Sequence, residues 1–179
     1  MNYNNKIPIE FQDRLDFFSK LAREEFSYLQ DYNFTLEKEE SGQTVNFHDY
    51  FLELSYSKEE TVIKIHFSTD IINGIKTAFA KLKDNELPVV DSQITCSIWD
   101  KNAFMSVHSY IETRFPEITN ETFRIKPGAS EIKSEIIKVT KNFSNFIKAN
   151  LTSVLEGKVI YDCYTDRFYD KVFKEIHYR

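Results

Sequence analysis

The stretch HDYFLELSYSKEETVIKIHFS, residues 48–68, alternates apolar with polar residues twice over. Tyr50, Leu52, Leu54 and Tyr56 share one side of the first run, and Thr61, Ile63, Ile65 and Phe67 share one side of the second. A period of two marks a β-strand, because successive side chains leave the pleat on opposite faces. Ser57-Lys58-Glu59-Glu60 between the runs reads as a four-residue loop. That loop sets Leu54 opposite Ile63, Leu52 opposite Ile65 and Tyr50 opposite Phe67. On the other face it sets Glu53 opposite Lys64, so charge and hydropathy agree on one register. The predicted fold grows from this antiparallel hairpin.

Upstream, Phe11, Leu15, Phe18, Leu21, Phe26 and Leu29 recur every three or four residues behind Pro8, which predicts an amphipathic helix over 8–31. Phe34 and Leu36 begin a further strand, with Ser41-Gly42 as a turn. Downstream, Asn73-Gly74 reads as a turn, and the residues between 70 and 95 suit either strand or helix. The neighbouring hairpin and the break at Asn85-Glu86-Leu87-Pro88 favour strand for IKTAFAKLK. Phe104, Val107, His108, Ile111 and Phe115 predict a helix from Ser97 or Asp100 that stops before Pro116. Residues 116–129 are a connector. A long helix follows over 130–156, with Ser130 as N-cap and Gly157 as its stop. Beyond KVIYDCY, Phe168, Val172 and Ile176 at four-residue spacing predict a docked terminal helix capped by Thr165. These elements give an α+β fold: an antiparallel sheet of three to five strands, packed on one face by the long N-terminal helix and the C-terminal helices. Residues 1–179 fit a single domain.

Composition narrows the function. With 41% hydrophobic residues, 16 Phe and 10 Tyr, and only four Gly and four Pro, the chain can build an aromatic core and is not disordered. The start MNYNNKIPIEF lacks the apolar run of a signal peptide, and no stretch approaches the length of a membrane span. Cys96 and Cys163 are too few for a disulfide framework or a cysteine zinc site. A cytoplasmic protein without membrane association is expected. The net charge of −5 is uneven: residues 120–179 hold 11 Lys+Arg and 8 Asp+Glu, leaving 12 and 20 for residues 1–119. An acidic N-terminal two-thirds disfavours nucleic acid, whose recognition depends on cations facing phosphate.

His48, His66, His108 and His177 form no metal-binding spacing, and phosphate-cradling glycine motifs are missing, so neither metal nor cofactor is expected. Asp49, Glu53, Lys64 and His66 fall on the outer face of the hairpin and make its best polar constellation. A general acid–base pair there would make the chain a small hydrolase or transferase around His66, Asp49 and Glu53. The ordinary alternative for such a face is a solvated surface. Cys163 beside Asp162 resembles a reactive thiol only if a helix starts there; a structural cysteine is the simpler reading. The runs Glu37-Lys38-Glu39-Glu40 and Glu59-Glu60 add carboxylates in or beside the strands. Aromatic residues among acids, with Phe51 the central one, suit recognition of a basic protein.

The order of elements, with FLELSYSKEETVIKIHFS, SVLEGK and DRFYDKVFKEIHYR as its landmarks, resembles a loose group of small bacterial cytosolic proteins, some of which are similar to immunity proteins of polymorphic-toxin systems. The resemblance implies a non-enzymatic protein-binding module and carries no catalytic residues. Its expected contact residues are Asp49, Phe51, Glu53, Glu59, Glu60, Lys64 and His66, facing a basic partner. A structural or assembly role, with an edge strand pairing across a two-fold axis, is the third reading, so both monomer and homodimer are admissible.

Overall fold

The computed structural model describes residues 7–43, 49–59, 61–69, 74–81, 104–108, 111, 115–118, 120–126, 131–157, 159–162 and 167–170. Helix α1 (Ile9–Glu25) starts behind Pro8 and buries Leu15, Phe18 and Ala22 on one stripe. It is shorter than the predicted 8–31: the chain tightens into a 3₁₀ helix over Ser27–Tyr32, which ends at Asn33 in the left-handed conformation. Tyr28 and Leu29 are buried by that tightening.

Five antiparallel strands follow in chain order and lie in the same order in one sheet: β1 (Thr35–Gln43), β2 (Tyr50–Lys58), β3 (Thr61–Ser68), β4 (Ile75–Lys81) and β5 (Phe104–Ser106). The α+β class is thus observed, and the strand reading of IKTAFAKLK holds over Ile75–Lys81, its last two residues lying outside the described ones. Several local expectations are corrected. Ser41-Gly42 is no turn but lies inside β1, where it pairs with Leu52 and Phe51. The hairpin closes tighter than expected, with Lys58 pairing Thr61 and only two residues between them. Glu59 takes a positive φ of 50°, as a tight reversal requires. The register therefore moves by two residues: Leu54 meets Ile65, Leu52 meets Phe67 and Glu53 meets His66. A shift of two keeps every side chain on its predicted face while changing every partner.

β3 is buried along almost its whole length. Ile63, Ile65 and Phe67 face α1, and Val62, Lys64 and Ser68 on the other face are buried as well. The centre of the outer face is therefore not the solvated surface expected for it. Helix α1 meets the sheet through Phe18, stacked 4.8 Å from Phe67, and Phe11, 4.8 Å from Tyr50.

Helix α2 (Ile132–Asn150) ends earlier than predicted and is followed after Leu151 by the single turn α3 (Thr152–Leu155). Gly157, at φ 72°, supplies the expected left-handed stop. Ser130 falls outside the described residues, and Glu131 holds the N-cap position without a side-chain cap. Helices α1 and α2 are tied directly: Tyr28 Oη donates to the Ser144 carbonyl (3.2 Å), and Ser144 Oγ donates to the Glu25 carbonyl (2.7 Å). Lys58 Nζ donates to the Leu155 carbonyl at 3.0 Å, joining the hairpin tip to α3.

Two further expectations change. Phe104–Ser106 is strand β5, not the interior of a helix, and Val107, His108 and Ile111 are helical beyond it. The terminal helix is contradicted where the structure describes it: β6 (Val159–Asp162) and β7 (Arg167–Asp170) form a separate antiparallel hairpin with Ile160 opposite Tyr169. Val, Ile, Tyr and Phe favour strand on a pleated surface, and here pairing with VIYD overrode the four-residue spacing. Val172 and Ile176 lie outside the described residues.

Candidate binding surface

The outer-face cluster forms, but as an interior arrangement. Lys64 Nζ lies 2.5 Å from Glu53 Oε1, with both side chains largely buried at 8% and 12% exposure. His66 Nδ1 is 3.7 Å from Glu53 Oε2. Phe51 stacks on the His66 ring at 5.7 Å with planes 15° apart. The same Phe51 ring covers Gly42 of β1, where an added Cβ would stand 3.1 Å from Cε1. Burial pushes the Glu53 carboxyl up, but His66 and Lys64 outweigh it and hold the group below its ordinary range. Glu53 is an ionised carboxylate locked by neighbours on the adjacent strand. A general base needs the opposite: a carboxylate open to a substrate proton.

Asp49 is half-buried just before β2. It stands four residues from Glu53, about 13 Å along a strand. The structure brings Phe51, Glu53, Lys64 and His66 together. Glu59 is exposed at the hairpin tip, and Glu60 lies outside the described residues. A partly open depression at the start of α1 is lined by Ile7, Pro8, Ile9 and Gln12, so none of the expected site residues borders it. Among the described residues no three His, Cys, Asp or Glu side chains gather as metal ligands, and no helix is long and apolar enough to cross a membrane.

Within the sheet, β1 carries a run of exposed carboxylates, Glu37, Glu39 and Glu40. Its side chains from Glu37 to Ser41 are all exposed, whereas those of β3 are nearly all buried. A bulge between Leu36 and Lys38 accommodates Glu37, whose carboxylate accepts hydrogen bonds from Thr35 Oγ1 (2.6 Å) and Ser57 Oγ (3.0 Å). Those hydroxyls hold Glu37 below the usual carboxylate range. Glu39 reaches back to α1, where Ser19 Oγ donates to it at 2.7 Å and Arg23 forms an ion pair with it. Glu40 pairs with Lys38 at 2.6 Å. Sequence reading noticed this acidic run but placed the binding face on β2 and β3. The distinguishing signal was weak: Leu36 is the only apolar residue from Thr35 to Gln43, which suits an edge strand with little to bury.

Compared with protein-family models, with curated proteins and with solved structures, the chain matches none.

Proposed function

We propose that this chain is a non-catalytic protein-binding module, of the kind immunity proteins represent, that holds a basic partner on the acidic side of its sheet. One observation carries the reading: the sheet spends Glu53 internally on Lys64 and His66, yet leaves Glu37, Glu39 and Glu40 exposed along β1. A neutralised, buried carboxylate supports the hairpin, while exposed ones at an edge can steer and retain a cation-bearing protein. Phe67, Tyr50 and Glu39, which α1 touches, share one side of the sheet, and α1 meets β1 there through Glu39. Phe51, whose ring lies over Gly42 of β1, adds an aromatic contact beside the margin, and Glu59 extends the acidic surface to the hairpin tip.

The test is calorimetric titration with the product of the adjacent reading frame at low and high salt. Wild-type protein should bind more weakly as salt screens the charges, and Glu37→Lys/Glu40→Lys should lose at least about tenfold in Kd. Binding that the double variant leaves unchanged would defeat the surface proposed. Glu59→Lys should have a smaller effect in the same direction.

A further inference from the structure

We infer that β1 is a strand-addition site, at which a lysine- or arginine-bearing extended segment of the partner joins the sheet as a sixth strand. The inference rests on the partner-binding reading and specifies how the partner docks. β1 ends the sheet, and among the described residues no strand lies on its outer edge. The edge strand of an antiparallel sheet directs alternate N–H and C=O groups outward, ready to pair with an extended chain. Beyond the bulge, Lys38–Gly42 runs in regular register with β2, long enough to template a short ladder. Its side chains are exposed from Glu37 to Ser41, and among the described residues the side-chain contacts onto this stretch from outside the sheet are those of Ser19 and Arg23 with Glu39.

Charge selects the occupant. Side chains opposite one another in an antiparallel pair stand about 4.5–5.5 Å apart, close enough to reward opposite charge and penalise like charge. Three carboxylates, Glu37, Glu39 and Glu40, against Lys38 and the Arg23 that α1 brings to Glu39 leave a net negative charge that favours a cationic strand, and a second copy of β1 carries the same charge. Glu39 pairs on the helix side of the sheet with Leu54, and Glu40 on the opposite side with Glu53. An added strand with cations on both faces is therefore read on both. Glu37 is touched only by hydroxyls among the described residues, so its charge is not already neutralised. The bulge and the charges that discourage indiscriminate edge pairing thus act here as a filter for a basic strand.

The probe is a nine-residue peptide of alternating Lys and Thr, compared with a twin N-methylated at every residue, which keeps the charge and lacks backbone donors. Both are titrated into isotopically labelled protein and followed by amide chemical shifts. The unmodified peptide should shift the amides of Lys38–Gly42 and slow their hydrogen exchange, and the methylated twin should bind about tenfold or more weakly. Equal binding by the two peptides would overturn strand addition and leave a charge-only surface. Binding by neither would also overturn it, while the partner-binding reading stands or falls by its own titration. Glu37→Lys/Glu40→Lys should weaken the unmodified peptide, and unchanged exchange in β3 would show that the variant remains folded.

Discussion

Thr77→Val should stabilise this protein, and the same exchange at Thr140 should destabilise it. Both threonines are buried, at 2% and 0% exposure. They differ in one respect. Thr77 Oγ1, on β4 opposite Ile65, is buried with no hydrogen-bond partner among the described residues, whereas Thr140 Oγ1 donates to the Ile136 carbonyl at 2.7 Å. A buried hydroxyl without a partner forfeits its hydration on folding, a cost of about 1–3 kcal/mol. Valine keeps the branched shape beside Ile75 and Phe79 and removes that cost, so a gain of about 1 kcal/mol is expected, with the midpoint rising about 2–4 °C in a chain of this size. At Thr140 the exchange deletes a bond already made. The Ile136 carbonyl can still accept the backbone bond of the helix, so the loss is about 0.5–1.5 kcal/mol. Urea unfolding of the three proteins, with equal m-values as the check on two-state behaviour, measures both changes. Two shifts of the same sign, or a loss of stability in Thr77→Val, would refute the reasoning.

Glu53→Gln should lower stability at neutral pH and converge on wild type in acid. The folded carboxyl lies below its ordinary value, so its contribution is complete above the ordinary carboxylate range and is lost as pH falls through the folded value; unfolding followed against pH for both proteins measures this. Phe18→Ala should cost about 3–5 kcal/mol, because a fully buried ring stacked on Phe67 leaves a cavity, whereas exposed Asp13→Ala should change stability by less than about 0.5 kcal/mol. Thermal midpoints compare the two, and similar shifts would contradict the assignment of Phe18 to the core.

Strong periodicity was legible where one face of an element is wholly apolar. The stripe of α1, the alternation of β2 and β3 and the stripe of α2 all appear in the structure because burial enforces the period over many residues. Short elements were not. Phe104 sat at helical spacing with Val107 and Ile111, yet it pairs through β5 with Ala80. Three residues cannot display a period, and tertiary pairing decides their state. The terminal segment failed for a related reason. Phe168, Val172 and Ile176 satisfy a helix, but Phe168 and Tyr169 suit a strand equally, and local spacing is blind to the pairing of Ile160 with Tyr169.

The candidate surface shows the same division between face and partner. Alternation assigns a side chain to one face of a sheet, and it did so correctly for Glu53, Lys64, His66 and Phe51. Which strand partner each meets depends on the length of the reversal, and Lys58 already pairs with Thr61 where a four-residue loop was expected. The shift moves Glu53 from opposite Lys64 to opposite His66, while Lys64 still reaches the carboxylate diagonally from opposite Ser55. One carboxylate consequently sits between Lys64 and His66. That explains why the apparent acid–base constellation of the sequence is better understood as an internal clamp between β2 and β3. Whether a face is wet is a separate question again, since alternation reports relative polarity and not what lies above the strand. Lys64 read as outer-face and is buried, whereas the polar run of β1 looked the same in sequence and is exposed. The difference between them is position in the sheet: β3 has a strand on each side, and β1 lies at the margin. A binding role is therefore better sought at β1 than at the hairpin whose pattern drew attention first.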